Sequence, residues 1–90
     1  MTRAPAVLTG GCQCGALRYA IFVAPKGLAL CHCRMCQKAT GGAFAALVPS
    51  QPENFAWTRG TPATFASSSI ARRDYCRDCG TPLTYRGPSG

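Results

Sequence analysis

Seven cysteines in a 90-residue chain carry most of the chemistry that this sequence offers. They stand at Cys12, Cys14, Cys31, Cys33, Cys36, Cys76 and Cys79, as a C-x-C, a C-x-C-x2-C and a C-x2-C cluster. Their odd number excludes a complete set of disulfides within one chain. The N-terminus, Met1-Thr2-Arg3-Ala4-Pro5, has a single charged side chain and no long apolar core, so it does not read as a secretory signal. A reducing, cytoplasmic setting is therefore expected. Structural disulfides are rare there, and clustered cysteines mean metal or redox chemistry. Zinc suits the spacing, because tetrahedral Zn–S bonds of ~2.3 Å put sulfurs ~3.8 Å apart. Residues i and i+2 of an extended strand face the same way, so Cys12/Cys14 and Cys31/Cys33 can each turn onto one ion. Cys76-Arg77-Asp78-Cys79-Gly80 reads as a tight knuckle. Gly80 suits the left-handed backbone that curls around a sulfur, and Gly15 follows Cys14 in the same way.

Each cluster also has a plainer use. Cys76/Cys79 would serve as a thioredoxin-like pair if a helix opened at the first cysteine, but Gly80-Thr81-Pro82 stops one. Cys12/Cys14 would serve as small buried residues. Cys31/Cys33/Cys36 would also ligate an iron–sulfur cluster. His32 is the only histidine. In an extended C-H-C it points away from both sulfurs, which suits packing or a hydrogen bond to a ligand more than direct ligation.

The charge pattern limits the partners. The formal net charge of +7 suggests an anionic partner. Seven thiolates around two zinc ions would lower it to about +4. The basic residues are scattered except for Arg72-Arg73, with no basic block, so nucleic acid is not the expected partner. No apolar run reaches the ~18 residues of a membrane helix.

The elements that must hold these residues are short strands. Ala6–Leu8 and Cys12–Phe22 read as strands around a Gly10-Gly11 turn or bulge, with Leu17, Tyr19 and Ile21 on one face. Leu28–Cys33, Ala43–Val48, Glu53–Thr58, Ala63–Ser67, Ile70–Tyr75 and Leu83–Arg86 read as further strands. Arg34–Ala39 suits a short helical turn ended by Gly41-Gly42. The aromatic residues lie mostly in strand patterns and read as core, and Gly87–Gly90 reads as a frayed end. This is an all-β pattern of antiparallel sheets or a sandwich with little helix, in one domain over residues 1–90. A chain this small has a thin core and commonly needs a staple.

The ordered motifs carry a resemblance. They are Gly10-Gly11-Cys12-Gln13-Cys14-Gly15-Ala16-Leu17-Arg18-Tyr19, Cys31-His32-Cys33-Arg34-Met35-Cys36-Gln37-Lys38, Thr40-Gly41-Gly42-Ala43-Phe44, and Tyr75-Cys76-Arg77-Asp78-Cys79-Gly80-Thr81-Pro82-Leu83. Over residues 8–86 the chain resembles the glutathione-dependent formaldehyde-activating enzyme family, also called the centromere protein V family, with its zinc-bound Mss4-like β fold. The resemblance implies two zinc ions. Cys12, Cys14, Cys76 and Cys79 match the structural ligands, and Cys31, Cys33 and Cys36 match the catalytic ones. It implies a carbon–sulfur lyase-type activity that adds glutathione, or a similar thiol, to formaldehyde or a small aldehyde, giving S-hydroxymethylglutathione. Arg34 and Lys38 would then contact the carboxylates of glutathione, or else serve as solvated surface charge or partly neutralise the thiolates. The alternative is a non-catalytic, zinc-stabilised binding module. Family members usually continue past the last knuckle with further strands and a Trp-containing tail. On this reading the chain lacks those strands, and a second copy would cover the exposed edge in a homo-oligomer.

Overall fold

The computed structural model describes residues 5–87. The start of the segment read as lacking a signal, residues 1–4, and residues 88–90 of the end read as frayed lie outside the described residues. The fold is mostly antiparallel strand, as the sequence indicates. Strands β1 (Leu8–Gly11), β2 (Arg18–Ile21) and β5 (Phe55–Arg59) form one sheet in the order β1-β2-β5. Strands β3 (Ala29–Cys31) and β4 (Ala45–Leu47) pair separately and flank helix α1 (Arg34–Thr40). Strands β6 (Ala63–Ala66), β7 (Arg72–Tyr75) and β8 (Pro82–Arg86) form the third sheet, with β7 in the middle. Every pairing is antiparallel.

Cross-strand side chains fix the first sheet. Tyr19 lies opposite Trp57. Its ring stacks on Phe55 at 5.2 Å and meets Trp57 edge-on at 6.1 Å. Such aromatic pairs stabilise a sheet beyond the area they bury. The third sheet is fixed by a polar ladder. Asp74 on β7 is only 3% exposed and stands opposite Thr64 on β6 and Thr84 on β8. Thr64 Oγ1 donates to its Oδ1 at 2.7 Å, Thr84 Oγ1 donates to its Oδ2, and Arg86 Nη2 reaches Oδ1 at 3.0 Å. Burial pushes the Asp74 carboxyl up, but the Thr84 and Thr64 hydroxyls and the Arg86 guanidinium outweigh it and hold the group below the usual carboxylate range.

The apolar core is thin. Among the described residues, Leu17 and Ile21 are the only large aliphatic side chains that are buried; the other buried apolar residues are alanine and cysteine. Cys12, Leu17 and Cys76 form its centre, with Trp57, Cys79 and Leu83 packed around them. Thiols thus occupy the place where two sheets meet.

Two expectations need correction. Gly10-Gly11 is no turn: both residues lie in β1, opposite Tyr19 and Arg18. A side chain at Gly10 would collide with the Tyr19 ring, so close approach rather than turning accounts for the pair. The turn comes later, at Cys12–Ala16, so Cys12 and Cys14 lie on a loop rather than an extended strand. The aromatic residues are also not uniformly core, because Phe44, Phe65, Tyr75 and Tyr85 are exposed.

Candidate metal centres

The loop after β1 and the knuckle after β7 converge. Gly15 (φ 83°) and Gly80 (φ 81°) both adopt the left-handed backbone that lets each loop close over its cysteines. Gly15 N–H donates to Cys12 O at 3.2 Å, and Gly80 N–H to Cys76 O at 2.8 Å. The sulfurs of Cys12, Cys14, Cys76 and Cys79 all fall within 4.8 Å of one another. Cys12 to Cys14 is 3.6 Å and Cys14 to Cys76 is 3.7 Å, close to the ~3.8 Å edge of a zinc–thiolate tetrahedron. Four thiolates would complete the coordination of one zinc ion, so the donor set fits a closed, structural site. It links residues 62 positions apart.

Neighbouring groups support charge on these sulfurs. Leu17 N–H donates to Cys12 Sγ at 3.3 Å. The Thr81 hydroxyl accepts from Gln13 N–H at 3.1 Å, which leaves its proton free for Cys79 Sγ, also 3.1 Å away. The Thr81 hydroxyl and amide bring the Cys79 thiol down to about 5. Cys14 moves the other way. The Ala16 amide favours its thiolate, but proton sharing with Cys12, desolvation and the other two thiols push it up to about 12.

The second group lies at the junction of β3 and α1. The sulfurs of Cys31, Cys33 and Cys36 likewise fall within 4.8 Å of one another. Cys31 Sγ is 3.4 Å from Cys33 Sγ. Cys33 caps the helix: its sulfur accepts the Cys36 N–H at 3.4 Å, and Gly41 closes the other end in a left-handed conformation. The Cys36 amide, with hydrogen bonds from Cys31 and Cys36, lowers the Cys33 thiol to about 7. Cys36 is buried, Cys31 half-buried and Cys33 exposed, so the group opens to solvent on the Cys33 side. Three sulfurs fit a zinc site that keeps one position for an incoming ligand.

The other expected site residues are more peripheral. Arg34 and Lys38 are exposed on α1. His32 is exposed, its ring 5.4 Å from Phe44, and it belongs to neither sulfur group. Sequence reasoning missed two residues. Thr81 joins the two halves of the four-cysteine group, and its place directly after the knuckle was a usable signal. Arg73 Nη2 lies 3.5 Å from Cys36 Sγ across 37 positions of sequence. No spacing rule indicates that contact.

Small antiparallel sheets around two sulfur groups define a β protein organised by cysteine clusters able to hold metal; no cysteine among the described residues is in a disulfide. The sequence model of the glutathione-dependent formaldehyde-activating enzyme family matches residues 7–90, and the chain belongs to that family. It is also 30% identical over 81 residues to an uncharacterized lyase of Schizosaccharomyces pombe. That alignment takes in 90% of this chain but only 58% of the yeast protein. No helix among the described residues is long and apolar enough to cross a membrane.

Proposed function

We propose that the chain is a zinc-dependent, carbon–sulfur lyase-type domain that joins a thiol such as glutathione to formaldehyde or a small aldehyde. In the overall reaction the thiol sulfur bonds to the carbonyl carbon and the C=O π bond opens. The thiol proton ends on oxygen, giving S-hydroxymethylglutathione. The convergence of three sulfurs on a solvent-facing side carries this reading. A zinc ion held by Cys31, Cys33 and Cys36 would supply a Lewis-acidic centre with one exchangeable position. The chain's own part is to keep the three sulfurs convergent, through the helix cap at Cys33 and the buried anchor at Cys36. Arg34 and Lys38 present positive charge beside the group, suited to the carboxylates of glutathione. Cys12, Cys14, Cys76 and Cys79 hold a second, structural zinc, and residues 1–90 act as one zinc-binding domain. The chemistry needs reduced thiols, which a cytoplasmic setting would supply.

A second reading, a non-catalytic zinc-stabilised binding module, is favoured by one observation. Leu28, Leu30, Phe44 and Val48, around the β3–β4 pair, are all exposed. Exchange NMR on glutathione and formaldehyde separates the two readings. The enzyme reading expects the parent protein to speed exchange between free and hydroxymethylated glutathione and Cys33→Ser to lose the effect. An equal effect from both proteins favours the module.

A further inference from the structure

Arg73 is the one described residue outside the cysteine groups whose charged side chain touches a sulfur. It comes from β7, in a different sheet from the β3–α1 segment that carries Cys31, Cys33 and Cys36. Its guanidinium is fixed on three sides. Nε donates to Ser67 Oγ at 3.1 Å, the plane lies over the Tyr85 ring at 4.9 Å, and Nη2 reaches Cys36 Sγ at 3.5 Å. The Asp74 ladder fixes the register of β7, and so the point from which Arg73 projects. Arg73 also lines a cavity of about 380 Å³ between α1–β4 and the third sheet. Arg34 and Lys38 are exposed on the helix, where solvent and salt screen them. Arg73 is half-buried, held, and always charged.

The charge balance gives this contact a role. Three thiolates around a divalent zinc ion sum to −1. A fourth thiolate would take the site to −2, whereas a neutral ligand would leave it unchanged. A fixed guanidinium against one sulfur offsets the added charge and does little for a neutral ligand. Resting on the function proposed above, we propose that Arg73 is a positioning residue of the three-cysteine site. It holds the Cys36 sulfur and favours entry of a thiolate over a neutral donor.

The test uses the cobalt-substituted full chain titrated with 2-mercaptoethanol and, separately, with imidazole. In Arg73→Met, thiol affinity should fall by about tenfold or more while imidazole affinity stays within about twofold. Arg73→Lys should restore much of the thiol preference, because it restores the charge. Arg73→Gln is planar and hydrogen-bonding but neutral, and it carries the same comparison if the methionine chain does not fold. Equal loss of both ligands, or no loss of either, overturns the proposal. A parent protein that binds imidazole but takes no thiol defeats the proposed function instead. The sulfur-to-cobalt absorption of the ligand-free protein then still tests the contact: it should shift between parent and Arg73→Gln, and an unchanged band overturns it.

Discussion

Replacing Cys76 by serine should remove most of the stability of this domain. Cys76 is 1% exposed and lies at the centre of the core. Its sulfur closes a contact 62 positions long with Cys14. Clipping a loop of that length removes unfolded-state entropy worth about 4 kcal/mol in the chain-entropy treatment. A domain of 90 residues commonly has a total stability of roughly 5–13 kcal/mol. A core with two large buried aliphatic side chains belongs at the low end. At ~4–8 °C per kcal/mol, losing the clip should lower the melting temperature by roughly 20 °C or abolish the cooperative transition. Cys36→Ser is the matched control, because its group spans only residues 31–36 and closes no long loop. It should lower the zinc content by about one ion and leave the fold largely intact. Thermal melts followed by circular dichroism, with metal content on the same samples, read both effects. A Cys76→Ser protein that melts within a few degrees of the parent would refute the staple argument.

Asp74→Ala should destabilise the third sheet by about 3 kcal/mol, since it leaves two hydroxyls and one guanidinium without their shared carboxylate; chemical denaturation measures this, and a loss below about 1 kcal/mol would show that water replaces the carboxylate well. Leu17→Ala, at a side chain 3% exposed between Cys12 and Cys76, should cost about 2–4 kcal/mol. It should also speed zinc loss to a chelator, and unchanged release would separate the core from the metal group. Exposed Leu28, Leu30, Phe44, Phe65 and Ile70 leave broad apolar surface, so the chain should self-associate. Sedimentation that shows a stable monomer at high micromolar concentration would contradict this.

The sequence exposed the parts of the structure that depend on local spacing. C-x2-C followed by Gly80 specifies a knuckle, because few backbones other than glycine curl that way around a sulfur. The short helix was readable from Arg34–Ala39 and its stop at Gly41-Gly42. The Cys12–Ala16 turn was not. The two-residue spacing of Cys12 and Cys14 suits an extended strand as well as a loop, and a glycine pair signals both turns and close strand approach. Arg73 and Asp74 were hidden for a different reason. Arg73 finds its partners through docking between sheets, and Asp74 through cross-strand pairing, so neither role follows from local sequence. The exposure of Phe65 and Tyr85 belongs to the same class. A strand pattern shows that two faces exist but not which one finds a neighbour.

The sharpest test of the three-cysteine site as a thiol-accepting metal centre is the electronic spectrum of the cobalt-substituted protein. Cobalt occupancy of Cys31, Cys33 and Cys36 would first be established by its loss in Cys36→Ser. Glutathione should then intensify and shift the sulfur-to-cobalt absorption of the parent, because a fourth sulfur enters the tetrahedron, and Cys36→Ser should show no such response. A parent spectrum indifferent to millimolar glutathione, with cobalt shown to occupy that site, would contradict the proposed chemistry and leave the binding module as the better reading.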